Sequence, residues 1–171
     1  MKIVRALLAS TVFAVAGLSS ALPYPTGATL PEATDRPVPP IVQRWMDAWN
    51  RGDAVGMAAL FTDDGVYQDF AFQAKNSGKD GVAGWVRLTV KNIPHTHGAI
   101  LDAFQVGDRA TVQWVFSGGP LPDTGRSFSV PVASVFQLRG GKIAQVIDYY
   151  NRADLYHQAG RPSDNWQPPT P

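Results

Sequence analysis

Ser134-Val135-Phe136-Gln137-Leu138-Arg139-Gly140-Gly141-Lys142-Ile143, running on through Ala144-Gln145-Val146-Ile147-Asp148-Tyr149-Tyr150, decides the fold. Arg139-Gly140-Gly141-Lys142 is a hairpin turn, because adjacent glycines supply the positive φ angles that tight two-residue loops need. It joins a long strand, Arg126 to Leu138, to a last strand, Ile143 to Tyr150. Pro131 cannot donate to a ladder, which marks an edge or a bulge within the first of these. Working outward, Ala110 to Ser117 and His97 to Val106 read as two further strands around a Gly107-Asp108 turn, and Gly118 to Gly125 as a long loop. Val66 to Phe72 alternates as a strand after an Asp63-Asp64-Gly65 turn, with Tyr67, Asp69 and Ala71 on one side.

Three helices belong to the front of the chain. Ile41, Trp45 and Trp49 share one helical face, with Val42 and Met46 beside them. Gly52 stops that helix, and Asp53 caps a second over about 54–61. After a loop and cap at 76–80, Val82, Trp85, Val86 and Thr89 continue at helical spacing to about Asn92, and Ala153 to Ala159 forms a short terminal helix. Strands joined by short turns make an antiparallel sheet, and helices gathered on one face make an α+β fold. A curved sheet closed by helices leaves a central pocket, the first place to look for function.

Composition narrows the chemistry. Charged residues are 17% of the 171 and the net charge is +1, which gives no footprint for nucleic acid. Cysteine is absent, so disulfides, thiolate metal sites and a Cys nucleophile are excluded. There is no phosphate-binding loop, dinucleotide fingerprint or Gly-x-Ser-x-Gly elbow. Of 14 prolines, six lie within 23–40 and four from 162 onward, so the body is framed by Pro-rich ends. Residues 1–21 fit a secretory signal: Lys2 and Arg5, an apolar run of 13 residues from Ala6 to Leu18, then Ser19-Ser20-Ala21. The run is short for a membrane span. Cleavage after Ala21 takes the charge from +1 to −1, and secretion without a membrane anchor is the expectation. Residues 22–38 read as a Pro-rich linker, 39–160 as the domain and 161–171 as a Pro-rich tail.

Ile41 to Asp53, Leu60-Phe61-Thr62-Asp63-Asp64-Gly65-Val66-Tyr67, the Ser134–Ile143 hairpin and Asp148-Tyr149-Tyr150 together resemble, in order and spacing, the nuclear transport factor 2-like superfamily. The likeness is greatest to its SnoaL-like polyketide cyclase and limonene epoxide hydrolase branch; Gly125-Arg126-Ser127-Phe128 leading into Val135-Phe136-Gln137-Leu138 is similar to the epoxide hydrolase strand. The resemblance implies a cone-shaped, curved antiparallel sheet on N-terminal helices around a hydrophobic cavity. It also implies dimers through the open sheet face. Activity does not follow from the fold, which hosts many functions.

Asp148 sits in an otherwise apolar strand, where desolvation raises a carboxyl pKa toward neutrality and suits it to move protons. In the enzymes the chain resembles, a carboxylate at this position points into the cavity. Tyr67 and Asp69, two apart on a strand, face one side; the resemblance sets a Tyr and an Asn there beside a bound water, and here the Asn position is Asp69. His97 opens a strand and is a candidate base or donor, whereas His95 and His157 read as surface residues. His95-x-His97 with Asp102 makes a poor metal set, since odd separation puts Asp102 on the other strand face; no metal and no cofactor are expected. Trp45, Trp85, Trp114, Phe116, Phe136 and Tyr150 are expected to wall the cavity against a small hydrophobic molecule. Epoxide hydrolases carry an Arg-x-Asp pair on a middle strand, but Ala110–Phe116 has no Asp, which argues against epoxide hydrolysis.

Three readings follow. The leading one is a secreted cofactor-free cyclase, isomerase or dehydratase acting on a small cyclic or polyketide-type molecule. The second is a non-catalytic pocket for a hydrophobic ligand or an interaction module. The third is a scytalone dehydratase-like site made by Tyr67, His97 and Asp148.

Overall fold

The computed structural model describes residues 32–162. The signal segment 1–21, most of the 22–38 linker and nearly all of the 161–171 tail lie outside these residues. The chain runs α1 (Pro40–Arg51), α2 (Ala54–Ala59), β1 (Phe61–Asp69), β2 (Ala74–Ser77), α3 (Gly78–Asn92), β3 (His97–Val106), β4 (Arg109–Gly118), β5 (Phe128–Arg139), β6 (Lys142–Tyr150) and α4 (Arg152–Gln158).

Helix α1 buries Ile41, Val42, Trp45, Met46, Ala48 and Trp49, the stripe that i, i+4 spacing requires. Gly52 ends it in the left-handed region at φ 61°, and the Asp53 side chain accepts the Gly56 N–H to start α2. Asn50 ties α1 to the sheet: its amide bonds both the N–H and the C=O of Gly98, at 2.7 and 2.9 Å. Gly98 allows this close approach, because a Cβ there would lie 2.3 Å from the Met46 sulfur.

The six strands form one α+β sheet in the order β2-β1-β6-β5-β4-β3. The expectation of a wholly antiparallel sheet is corrected at one place: β1 and β6 are parallel. Their connection runs through α3 and four intervening strands, so hairpin logic does not apply to it. A sixth strand, β2, pairs antiparallel with β1, and its last two residues fall within the stretch 76–80 expected as loop and cap; Ala74-Lys75-Asn76-Ser77 is a short polar edge with no hydrophobic alternation. Asp63-Asp64-Gly65 is not a free turn but lies inside β1, where the register with β6 breaks between Phe61 and Val66. β1 itself ends at Asp69, whose carboxylate accepts the Phe72 N–H and folds the chain into a turn before β2. Pro131 falls just beyond the final β5–β6 pair, Val132–Tyr150, where β5 is locally an edge.

Residues 32–38 are exposed except for half-buried Val38, but they are held to β3. The Thr34 N–H donates to the Leu101 carbonyl at 2.8 Å, and the Thr34 hydroxyl and Arg36 both reach Asp102. No helix among the described residues is long and apolar enough to cross a membrane.

Candidate active site

Helices α1 and α3 cover the concave face of the sheet over a cavity of about 320 Å³. Tyr67, Asp69, His97 and Asp148 all line it. The first two come from β1 and Asp148 from β6, and Asp69 and Asp148 are register partners across the parallel pair. The inward positions of β1 and β6 therefore meet at one point.

Asp148 is 4% exposed and accepts two hydrogen bonds. The Tyr67 hydroxyl donates to Oδ2 at 2.6 Å, and the Ser134 hydroxyl to Oδ1 at 2.5 Å. Each hydroxyl in turn accepts from an indole: Trp49 Nε1 donates to Tyr67 at 3.2 Å and Trp114 Nε1 to Ser134 at 2.8 Å. An indole N–H can only donate, so it occupies the acceptor side of each hydroxyl and leaves that hydroxyl's own proton for Asp148. The direction of both chains is thus fixed by chemistry.

Burial and hydrogen bonding oppose one another at this carboxyl. Burial raises it most; the Ser134 and Tyr67 hydroxyls lower it, neighbouring Asp69 raises it, and the result lies at about 7. Burial wins, and the group exchanges its proton near neutrality. Asp69, 3% exposed, is also raised by burial, against the pull of the Phe72 N–H and the Tyr150 hydroxyl, which donates to Oδ2 at 2.8 Å. Burial and then the Asp148 charge push the Tyr67 phenol well above its ordinary range, and burial with the Asp69 charge does the same to Tyr150. Both phenols stay protonated and act as donors. With each oxygen accepting one bond, Asp148 keeps lone pairs on its cavity side to take a proton from a ligand.

His97 is exposed at the start of β3 and lines the cavity, but it is not a partner of Asp148. His95, at φ 52°, and His157 on α4 do not line it. Asp102 is bonded instead to Thr34 and Arg36. The alternation that set it opposite His97 is also broken by a register shift between Ile100 and Asp102.

Of the expected wall, Trp85, Trp114, Phe116 and Tyr150 line the cavity. Trp45 and Phe136 do not: both are wholly buried behind it, with ring centroids 5.2 Å apart in an edge-on contact, because α1 seats Trp45 against the sheet. Sequence reasoning missed Ser134 and Trp49 as partners of the Tyr67–Asp148 pair. A signal for Ser134 existed: among the inward residues of β5, from Phe128 to Leu138, it alone is polar.

Residues 42–146, from the first helix into the last strand, match the family profile of the SnoaL-like domain. The chain belongs to that family. A protein of ketosteroid isomerase-like fold from Catenulispora acidiphila, solved in complex with trimethylamine, is similar to it. That structure is 32% identical, aligns over 77% of this chain and 100% of its own, and has a TM-score of 0.72. A candidate polyketide cyclase from Pseudomonas putida is 26% identical over 69% of this SnoaL-like chain and 94% of its own, with a TM-score of 0.61. TsrD from Streptomyces laurentii is 25% identical over 70% and 92%, with the same TM-score of 0.61. No curated protein matches the sequence.

Proposed function

We propose that this SnoaL-like protein is a cofactor-free acid–base enzyme, a cyclase, isomerase or dehydratase, that moves a proton on a small, largely apolar cyclic or polyketide-type molecule. One observation carries the reading: Asp148 faces the cavity with both oxygens held by hydroxyls whose direction two indoles fix. A base that must take a proton from carbon benefits from being desolvated and already oriented. The likeness to a candidate polyketide cyclase supports the substrate class. The mechanism needs Asp148 ionised as base, held in place by the Tyr67 and Ser134 hydroxyls while it takes the proton. The test is solvent-deuterium exchange into 2-tetralone, a cyclic carbon acid, followed by NMR. Exchange by the native protein should exceed that by Asp148→Asn; equal rates overturn the role.

Ligand binding without chemistry is the second reading, and one observation favours it: the C. acidiphila relative holds trimethylamine. We further propose export, on the strength of the pattern in residues 1–21. Sequencing the N-terminus of protein recovered outside the cytoplasm checks it; a mature chain beginning at Leu22 is expected, and retention of Met1 in the cytoplasm overturns it.

A further inference from the structure

We infer that the cavity selects a ligand bearing a compact tertiary or quaternary ammonium group, seated against Trp49, Trp85, Trp114 and Phe116 and facing Asp69 and Asp148. The inference rests on the reading above that this cavity is the ligand site, and it adds the charge of the ligand.

Two features of the cavity have the same electrostatic sign. Trp49, Tyr67, Phe72, Trp85, Trp114 and Phe116 all contribute aromatic wall, and the face of an aromatic ring is the negative end of its quadrupole. Two carboxyls, 3% and 4% exposed, add formal negative charge when ionised. A proton-transfer site for a neutral molecule needs one of these carboxyls, so the second calls for its own account. Asp69 sits one strand away from Asp148, at the same register, and raises it.

Among the described residues, His97 and Arg161 line the cavity, but the hydrogen bonds given for the two carboxyls come from neutral groups. The hydrogen-bond partners of Asp148 are hydroxyls, and those of Asp69 are the Phe72 N–H and the Tyr150 hydroxyl. Arg152 lowers Asp69, but as the weakest of the influences on it. Arg161 reaches the cavity rim, yet two of its guanidinium nitrogens are engaged by Asp123, each at 3.1 Å. A cation entering the cavity is therefore attracted by ring faces turned toward it and by each carboxyl that is ionised, and it favours the ionised state of both, while an anion is repelled by each ionised carboxyl.

The kind of cation follows from the lining. The acceptors are gathered at Asp69 and Asp148, while Leu88, Ile93 and the rings make up most of the remaining wall, so an ion hydrated on every side would lose more water than the cavity replaces. Alkyl substituents on nitrogen spread the charge and bury well against rings. A volume of about 320 Å³ admits a trimethylammonium-sized head with a short ring or chain attached.

The experiment is calorimetric titration of the full chain with tetramethylammonium chloride and, separately, with 2-methyl-2-propanol, a neutral molecule of similar shape, at matched ionic strength. The cation should bind saturably at one site and about tenfold more tightly than the alcohol. Asp69→Asn should weaken the cation by a similar factor and leave the alcohol unchanged. Trp85→Leu, on the half-buried wall of α3, should weaken the cation more than the alcohol, and serves as the second variant if Asp69→Asn does not fold. Equal binding of the two probes, tighter binding of the alcohol, or no saturable binding of the cation overturns the inference. The deuterium-exchange test reports on proton transfer independently. Asp148-dependent exchange with no cation preference removes the ammonium and keeps the enzyme. Cation preference with Asp148-independent exchange does the reverse.

Discussion

Asp69 and Asp148 are register partners in the one parallel strand pair of the sheet, so two buried carboxyls enter the same cavity from adjacent strands. Each is bonded by a tyrosine of the other strand: Tyr67 of β1 donates to Asp148 of β6, and Tyr150 of β6 donates to Asp69 of β1. The two Asp–Tyr pairs cross, and a change at one carboxyl is felt at its neighbour.

That coupling is measurable. Carboxyl-carbon NMR should show Asp148 titrating with a midpoint at about 7. Asp69→Asn removes a neighbouring negative charge, so the midpoint should fall. Ser134→Ala removes a donor to the ionised form, so the midpoint should rise. A midpoint near 4 in the native protein would contradict the burial argument.

Stability should decline as pH rises. The Asp148 carboxyl is at 3.8 in its ordinary state and at about 7 when folded, so between these values the folded chain holds the proton more tightly than the unfolded chain. The contribution of Asp148 to stability is then greatest below the lower value, falls by roughly 4 kcal/mol up to the higher one, and is flat beyond it. Asp69 is raised too, and it adds in the same direction. Urea denaturation across this range checks the slope, and Asp148→Asn should flatten most of it.

Removing a relay hydroxyl should leave an orphan. In Ser134→Ala the Trp114 Nε1–H loses its acceptor, and a buried unpaired donor costs about 1–3 kcal/mol. Thermal melting of the variant, compared with Ser134→Thr, which keeps the hydroxyl, separates the lost bond from lost packing.

Gly98→Ala should destabilise the contact of α1 with β3. Its Cβ would fall 2.3 Å from the Met46 sulfur and 3.0 Å from the Trp114 ring, an overpacking typically worth about 1–3 kcal/mol. Met46→Ala should lower the melting temperature less in the Gly98→Ala chain than in the native one, because the new Cβ takes up part of the space the side chain leaves.

How much of this was legible in the sequence depends on how local each feature is. Helix α1 was, because Ile41, Trp45 and Trp49 carry its stripe and Gly52 its stop within 12 residues. The pairing of β1 with β6 was not, since no spacing links strands so far apart along the chain. Asp148 shows the limit most clearly. Leu138 pairs with Ile143, yet Gln137 pairs with Gln145, so Ala144 is an extra residue in the ladder. Uniform counting from the Gly140-Gly141 turn sets Ser134 opposite Ile147, and alternation from buried Ile143 points Asp148 outward. The bulge shifts the register by one residue, sets Ser134 opposite Asp148 and turns the carboxyl inward. Family likeness pointed to Asp148, but the sequence pattern alone could not supply Ser134 as its partner.

The parallel β1–β6 pair also dictates when the site comes into being. Tyr67 and Asp148 are 81 residues apart, as are Asp69 and Tyr150. On a growing chain β1 is made early and waits, its inner edge bare, until the final strand of the sheet is synthesised. An edge left open that long is a hazard for aggregation during translation. No fragment ending before Tyr150 contains both crossed pairs, so the Asp–Tyr site is whole only with completion of the sheet.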